Sequence, residues 1–304
     1  MSLSLSFTHP IISRHVYSAA FSHPIPLHPP RSLFLSPYTP NKSRFHILYR
    51  VPHRATALSA TAVTASIFRY TVASATFFAG AYALAFTFDT LNRKELIQQS
   101  LSRKLVHILS GLLFAISWPI FSNTIEARYF ASLVPLVNCL RLVIHVLSLS
   151  DDQSMVKSVT REGDPKELLR GPLYYVVSLM MCTLLFWRES PVGVISLGMM
   201  CGGDGVADIM GRKFGSSKLP YNEMKTWVGS ISMFVAGFFI STGMVCFYSA
   251  LGYFELDWGC AIHRVALVSL VATVVESLPI SNLIDDNISV PLASMLAAYF
   301  TFTY

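Results

Sequence analysis

The stretch PVGVISLGMMCGGDGVADIMGRKFG, residues 191–215, joins an apolar run to polar residues that a membrane rarely tolerates. Residues 191–210 form a mostly apolar segment of the length that a transmembrane helix needs, about 20 residues. Near its end lie Asp204 and Asp208, which stand four residues apart among glycines, before a basic turn. Ionisable residues within a membrane span are rare and usually serve a function. The stretch therefore predicts a membrane helix with a functional site at one end.

The composition of the whole chain is that of a membrane protein. Its 304 residues are 53% hydrophobic and only 13% charged, with a mean hydropathy of +0.50, whereas soluble domains carry about 25% charged residues. Eight apolar segments are candidate spans, at residues 67–88, 105–121, 127–149, 172–187, 191–210, 228–254, 261–280 and 288–303. Because two of them are short, we predict an all-α, polytopic integral membrane protein with seven or eight transmembrane helices.

The beginning of the chain differs in composition from the rest. It is rich in Ser, Pro, His and Arg, and up to Arg69 it carries seven basic and no acidic residues. This pattern is typical of an organelle transit peptide, and its prolines disfavour the long amphipathic helix of a mitochondrial presequence. We predict a chloroplast transit peptide at residues 1–60, removed to leave a multi-span membrane domain at residues 61–304. A disordered cytosolic tail is the alternative. Because the net charge of +6 arises from this segment, we expect no nucleic-acid partner.

Basic residues alternate between the predicted loops. The loops after the first, third and fifth spans carry four Lys or Arg residues each, and those after the second, fourth and sixth carry one each. Such alternation follows the positive-inside rule and predicts that the basic loops share one side, the stroma in a plastid. The charged segments on that side are the Arg103–Lys104 pair, TREGDPKELLRGP at 160–172, the glycine-rich stretch with Lys225, and IDDN at 284–287. We therefore expect an active site at one membrane face.

The two aspartates suggest a metal site. On a helix, a spacing of four places Asp204 and Asp208 on one face, and two carboxylates in a dry place need a compensating cation. Mg²⁺ binds through one or two carboxylates together with substrate phosphates. Asp285 and Asp286 are candidates for a second set of oxygen ligands, although Asp286 and Asn287 are equally suited to capping the last helix. A carboxylate pair that conducts ions or relays protons in a transporter is the alternative.

Glycines and basic residues around the aspartates suggest a polyphosphate site. Glycines allow close approach of a ligand and can present N–H groups to phosphate, and Lys or Arg supplies positive charge. The candidates for this role are Gly202, Gly203, Gly205, Arg212, Lys213, Lys218, Lys225, Gly229 and Ser230. Together, the aspartates, glycines and basic residues predict nucleotide-dependent phosphoryl transfer. Because the sequence contains no P-loop, kinase HRD or DFG set, HExxH or GxSxG, the site must be of a non-standard membrane type.

Three ionisable residues lie within or at the ends of predicted spans. Glu276 ends an apolar span, and such a residue is a functional candidate by default. A carboxylate near the acceptor hydroxyl would act as general base. Together with the residues described above, the catalytic candidates are therefore Asp204, Asp208, Lys225 and Glu276. The sequence leaves open whether His107 is packed or catalytic, and whether Arg141 neutralises a carboxylate or extends to the membrane surface.

Several of these segments resemble one protein family. The resemblance rests on four segments: GGDGVADIMGRKFGSSKLP at 202–220, KTWVGS at 225–230, ESLPISNLIDDNISVPL at 276–292 and SRKLVHILSG at 102–111. Together they are similar to the plant phytol kinase and farnesol kinase group, relatives of dolichol kinase in the polyprenol kinase family. The resemblance covers residues 100–300. It assigns nucleotide and metal binding to Asp204, Gly205, Asp208, Gly211, Arg212, Gly215, Lys225 and Gly229.

The resemblance also implies a reaction. It implies CTP-dependent phosphorylation of a long isoprenoid alcohol with Mg²⁺, here of phytol to phytyl phosphate for tocopherol synthesis, by a chloroplast membrane protein. A farnesol or geranylgeraniol kinase of the same family, a lipid-phosphate cytidylyltransferase and a transporter are the alternatives. Phytol partitions into the lipid bilayer and CTP stays in water, so we expect the reaction at the membrane face. The alcohol is expected to enter sideways between spans, with its hydroxyl near Asp204 and Lys225.

Overall fold

A computed structural model of the chain describes residues 60–122, 124, 126–147, 170–279 and 284–303. These residues belong to one compact unit, Phe45–Tyr304. The predicted transit peptide lies outside the described residues apart from Ala60, and so do residues 160–169 of the basic TREGDPKELLRGP loop. The transit peptide and its removal therefore stay predictions.

Helices occupy all eight of the predicted apolar segments, which confirms the all-α fold. They are α1 Ala60–Arg93, α2 Gln99–Ser117, α3 Ala127–Val146, α4 Gly171–Leu185, α5 Pro191–Leu197, α6 Gly205–Phe214, α7 Trp227–Ala250, α8 Trp258–Ser277 and α9 Asp286–Thr303. A 3₁₀ turn, Trp118–Ile120, follows α2, and a π-helical segment, Gly198–Asp204, joins α5 to α6. A small antiparallel hairpin of β1 Lys218–Leu219 and β2 Asn222–Thr226, which was not predicted from the sequence, precedes α7.

Six of the described helical segments are long and apolar enough to cross a membrane. They are Ile67–Arg93, Gln99–Ile120, Ala127–Ile144, Pro191–Phe214, Trp227–Ala250 and Trp258–Ser277. The other two predicted spans are helical, but neither is both long enough and apolar enough to cross a membrane by the same measure. Helix α4 has only 15 residues, and α9 opens with Asp286 and Asn287, which lower its hydropathy. The polytopic architecture is thus confirmed, with six such helices against the seven or eight predicted.

The segment Pro191–Phe214, called the central helix below, is the most enclosed of these six, with 83% of its apolar 18-residue window buried. It packs against α2, α7 and α9. Its glycines make this packing possible, because Gly202 contacts Ile240 of α7 and Gly205 contacts Ile108 of α2 where a larger side chain would collide. The seven-residue π segment lies in the middle of this helix; π segments are rare and often mark functional sites. The π segment ends at Asp204, the first candidate catalytic residue.

A buried arginine holds the turn that follows α2. Arg188, in the loop between α4 and α5, is fully buried. Its Nη1 donates hydrogen bonds to the carbonyl oxygens of Trp118 at 2.9 Å and Phe121 at 2.7 Å, and its Nη2 donates to that of Ser122. The guanidinium also lies 5.2 Å from the centre of the Trp187 ring. One side chain therefore donates to three backbone carbonyls at the end of α2 and its 3₁₀ turn, where helix carbonyls run short of partners; that of Trp118 also accepts from the Phe121 N–H.

We expect Arg188→Leu to destabilise the fold strongly. Three buried carbonyls would each lose a charged donor, which predicts a loss of about 3 kcal/mol and a fall in the melting temperature of about 5–10 °C. The matched control is Arg93→Leu, because Arg93 is exposed and pairs with Asp89 on the same helix, and exposed pairs contribute little. Thermal unfolding in detergent measures both. Equal melting temperatures for the two variants would contradict the stabilising role of Arg188.

Candidate active site

A cavity of about 810 Å³ opens where the central helix meets α2, α4, the hairpin and the adjoining ends of α7, α8 and α9. It brings together the charged segments that the sequence placed on one membrane face, since Arg103, Lys104, Arg170, Lys225 and the IDDN turn all contribute to its wall. Of the predicted site residues, those lining the cavity are Asp204, Asp208, Gly211, Arg212, Gly215, Lys218, Lys225, Gly229, Ser230, Glu276, Asp285 and Asp286. The convergence of these segments, though not their membrane orientation, is thus observed.

Three carboxylates meet at the buried end of the cavity. Asp204 comes from the end of the π segment, Glu276 from the last turn of α8 and Asp286 from the first turn of α9. One oxygen atom from each lies within 4.8 Å of the others, and the side chains of Asp204 and Glu276 are both buried. We call these three residues the carboxylate group. Negative charges this close in a poorly solvated place repel one another strongly and require positive charge nearby.

Lys225 supplies part of that positive charge. It lies on β2, and its Nζ donates hydrogen bonds to Glu276 Oε1 and, at 2.8 Å, to Asp286 Oδ2. Burial by itself lowers the pKa of Lys225, but the carboxylates of Glu276 and Asp286 raise it above its ordinary value. The group is therefore an ammonium that bridges two members of the carboxylate group.

Lys104 of α2 supplies further positive charge on the other side of Asp204. Its Nζ lies 3.6 Å from Asp204 Oδ2 and 3.5 Å from Asp208 Oδ2. The two aspartates therefore share one helix face, as their spacing predicted. Asp208 Oδ1 also accepts a hydrogen bond from Arg212 Nε at 2.8 Å, so Asp208 has two cationic partners and lies outside the carboxylate group.

The carboxylate group has the properties of a divalent cation site. Glu276 Oε2 and Asp286 Oδ1 are buried and have no hydrogen-bond partner among the described residues. Buried carboxylate oxygens normally have partners, and clustered oxygens of this kind are the ligands that Mg²⁺ prefers. Asp204, Glu276 and Asp286 therefore fit a divalent metal ion. The metal set predicted from the sequence, Asp204, Asp208, Asp285 and Asp286, shares only its first and last members with this group.

Asp285 has a structural task at the start of α9. Its Oδ1 accepts hydrogen bonds from the backbone N of Asn287 at 2.9 Å and from Asn287 Nδ2 at 2.8 Å. These contacts cap the helix in the manner typical of aspartate. The sequence suggested Asp286 and Asn287 as the capping residues, whereas the structure gives this role to Asp285. Asp286 joins the carboxylate group.

Four predicted site residues lie away from the cavity. Gly202 and Gly205 pack against neighbouring helices, and Gly203 lies against Gly237 of α7. All three sit inside the continuous central helix, where backbone N–H groups are used by the helix itself. They allow close helix packing, in place of the close approach to a nucleotide that the sequence suggested. Lys213 is exposed, with its Nζ 5.4 Å from the centre of the Phe214 ring.

The start of α7 forms the most evident anion-binding feature of the cavity. Gly211 and Gly229 touch where the central helix crosses α7, and this contact places the first turn of α7 on the cavity wall. Thr226 Oγ1 caps the helix by accepting a hydrogen bond from the N–H of Gly229 at 3.1 Å. Ser230 Oγ is buried and has no partner among the described residues. Helix N-termini favour anions, so this end of the cavity suits phosphate.

Among the cavity residues that were not predicted as site residues, Lys104 and His107 lie on α2 beside the carboxylates. Lys104 was read from the sequence only as one of two basic residues near a membrane surface, and His107 was left open. They stand three apart on α2, which places both on one helix face within an otherwise apolar segment. That spacing is the signal from which they could have been found. Arg141, the other residue left open, is exposed and is not among the residues that line the cavity.

Comparison with known proteins identifies close relatives. Phytol kinase 1, chloroplastic, of Arabidopsis thaliana is 60% identical over 251 residues, which are 83% of this chain and 83% of the relative. Probable phytol kinase 1, chloroplastic, of Glycine max is 65% identical over 223 residues, 73% of this chain and 74% of the relative. Farnesol kinase, chloroplastic, of Arabidopsis thaliana is 44% identical over 212 residues, 70% and 69% of the two chains. No family model and no solved structure matches the chain. On this identity over most of both chains, the protein belongs to the phytol kinase family.

Proposed function

We propose that this protein transfers the γ-phosphoryl group of CTP to the hydroxyl of phytol at the face of a chloroplast membrane. The alcohol oxygen forms a bond to the γ-phosphorus, the bond from that phosphorus to CDP breaks, and the hydroxyl proton passes to a basic group of the cavity. Relatives named phytol kinase, at 58–65% identity over most of the chain, support the alcohol. The single observation that carries the reaction type is the carboxylate group, bridged by Lys225 within one cavity.

The charged end of the cavity suits the donor. The phosphates of CTP would lie against the first turn of α7 and Ser230, near the basic side chains of Lys218 and Arg212. Mg²⁺ held by the carboxylate group would neutralise charge on the phosphate oxygens during transfer. Phosphoryl transfer depends mainly on positioning and charge neutralisation, and these residues supply both. The choice of CTP as donor follows from the resemblance to the polyprenol kinase family.

A direct assay tests the reaction. Membranes bearing the protein are incubated with Mg²⁺, labelled CTP or ATP, and phytol, farnesol or geranylgeraniol, and label is measured in the organic phase. We expect CTP-dependent phytyl phosphate. Label with ATP alone would overturn the donor, and a preference for farnesol would favour the alternative suggested by the 44% identical farnesol kinase. Absence of label with every pair would overturn the kinase and favour the transporter.

Ser230→Ala tests the phosphate end of the cavity. Loss of one hydroxyl that donates to a charged phosphate predicts a rise in KM for CTP of about tenfold, equivalent to about 1.4 kcal/mol, with little change in KM for phytol. Ser232→Ala is the matched control, because Ser232 lies on the same helix and is not among the residues lining the cavity. Steady-state kinetics with varied CTP measures both. An unchanged KM in the Ser230 variant would place the phosphates elsewhere.

A further inference from the structure

The wall of the cavity on the α2, α3 and α4 side carries apolar side chains beside its polar ones. Val106 of α2, Leu142 of α3 and Val176 of α4 line it, and the last two are buried. We call the space between these three residues the crevice. It is continuous with the charged end of the cavity, since Lys104 and Val106 are two residues apart on α2 and both line the cavity.

The crevice lies between α2 and the pair α3 and α4, which pack closely against each other. Helix α2 packs mainly against α1 and the central helix, whereas α3 packs mainly against α1 and α4. Side chains bridge the gap between α2 and α4: the Tyr175 and His107 rings lie 4.2 Å apart, and Tyr175 Oη donates to the His107 carbonyl oxygen at 2.9 Å. These side chains hold the backbones of α2 and α4 apart, and the space beside them belongs to the cavity.

The outer surfaces on both sides of the crevice are suited to lipid. On α2, Leu109, Leu113 and Ile116 are exposed, and on α3 the exposed residues include Leu136 and Leu140. Large exposed apolar side chains on membrane-spanning helices face the hydrocarbon of the bilayer. The hydrocarbon of the bilayer would therefore lie against the outer faces of both helices.

His107 stands at the junction of the crevice and the charged end. It is one helical turn from Lys104, which contacts Asp204, and it lines the same cavity. Its Nε2 is buried and has no hydrogen-bond partner among the described residues. A buried ring nitrogen of this kind is costly unless a ligand satisfies it, and a hydroxyl group can do so as donor or acceptor.

We propose that the crevice binds the isoprenoid alcohol, with its hydrocarbon chain against Val106, Leu142 and Val176 and its hydroxyl bonded to His107 Nε2. This inference rests on the proposed function and specifies where its lipid substrate lies. The chain then runs sideways toward the bilayer, and the hydroxyl meets the phosphates beside Asp204. A branched apolar chain fits a wall of valine and leucine, and each buried CH₂ contributes about 0.8 kcal/mol.

Leu142→Trp tests the crevice. The larger side chain fills the space beside the alcohol chain, so we expect kcat/KM for phytol to fall about tenfold or more, with a much smaller effect on the short alcohol prenol. Leu140→Trp is the matched control, because Leu140 lies on the same helix but is 55% exposed, against 4% for Leu142. Leu142→Phe provides a milder change of the same kind should the tryptophan variant fail to fold.

The results with these variants distinguish a failure of the crevice assignment from a failure of the kinase function on which it rests. Equal behaviour of the Leu142 and Leu140 variants, or equal losses with phytol and prenol, would overturn the crevice while leaving the kinase in place. An unaltered protein that phosphorylates no alcohol would overturn both.

The contact to the hydroxyl has its own test. His107→Phe keeps a ring against Tyr175 but removes Nε2, so we expect kcat/KM to fall about tenfold or more for phytol and prenol alike, with KM for CTP unchanged. His107→Gln, which retains a hydrogen-bonding side chain, should restore part of the activity. Full activity in the phenylalanine variant would show that His107 only packs against Tyr175 and would overturn its contact with the hydroxyl.

Discussion

Asp204→Asn is expected to abolish phosphorylation of phytol, by about a thousandfold or more, while the protein remains folded in the membrane. Asparagine has nearly the shape of aspartate, so helix packing around the π segment is kept. The substitution removes one of the three negative charges within 4.8 Å of one another, and with it an anionic ligand for Mg²⁺. The loss should therefore appear in kcat and should not be restored by more CTP or phytol.

The matched control for this variant is Asp285→Asn. Asp285 lines the same cavity, but its carboxylate caps α9 through Asn287, and asparagine caps helices as well as aspartate does. We expect its activity to stay within about threefold of the unaltered protein. Phosphorylation assays over a range of Mg²⁺ concentrations compare the two. Retained activity in the Asp204 variant would refute the metal assignment, and a loss in both would extend the metal site to Asp285.

The fold could be predicted from the sequence because each helix carries its own apolar run. The hairpin could not, since β1 and β2 together span seven residues of KLPYNEMKT and carry no clear alternation of apolar and polar residues. The apolar segment was predicted to end at residue 210, but the central helix continues to Phe214. It can do so because its polar residues Asp208 and Arg212 face the cavity. A helix that lines a polar cavity does not need to remain apolar.

The site could be predicted only where its residues are neighbours in sequence. Asp204 and Asp208 share a face because of their spacing, but their common partner Lys104 lies a hundred residues earlier in the sequence. The carboxylate group joins three separate helices, and no local pattern specifies such a contact. The glycine-rich segment was ambiguous for a physical reason. Small residues serve close approach to phosphate, and in membrane helices they also serve close approach of another helix.

Lys225→Gln is expected to reduce phosphorylation by about a thousandfold and to destabilise the protein as well. Lys225 is the ammonium that bridges Glu276 and Asp286, and removing one partner of a buried ion pair costs about 3–5 kcal/mol because the remaining charge is uncompensated. Loss of positive charge beside the carboxylate group also removes a contact available to phosphate. Activity and melting temperature should therefore fall together.

A second substitution separates the two effects. In the double variant Lys225→Gln and Glu276→Gln, one positive and one negative charge are removed together, so the ion-pair penalty is largely relieved and most of the melting temperature should return. Activity should not return, because the carboxylate group has lost a metal ligand and Lys225 is still absent. Melting temperature and phosphorylation are measured on all three variants in the same detergent. Recovery of activity in the double variant would show that Lys225 only neutralises Glu276 and that the reaction needs neither charge. Stability restored without activity would assign the ion pair to folding and show that the reaction needs at least one of its two members.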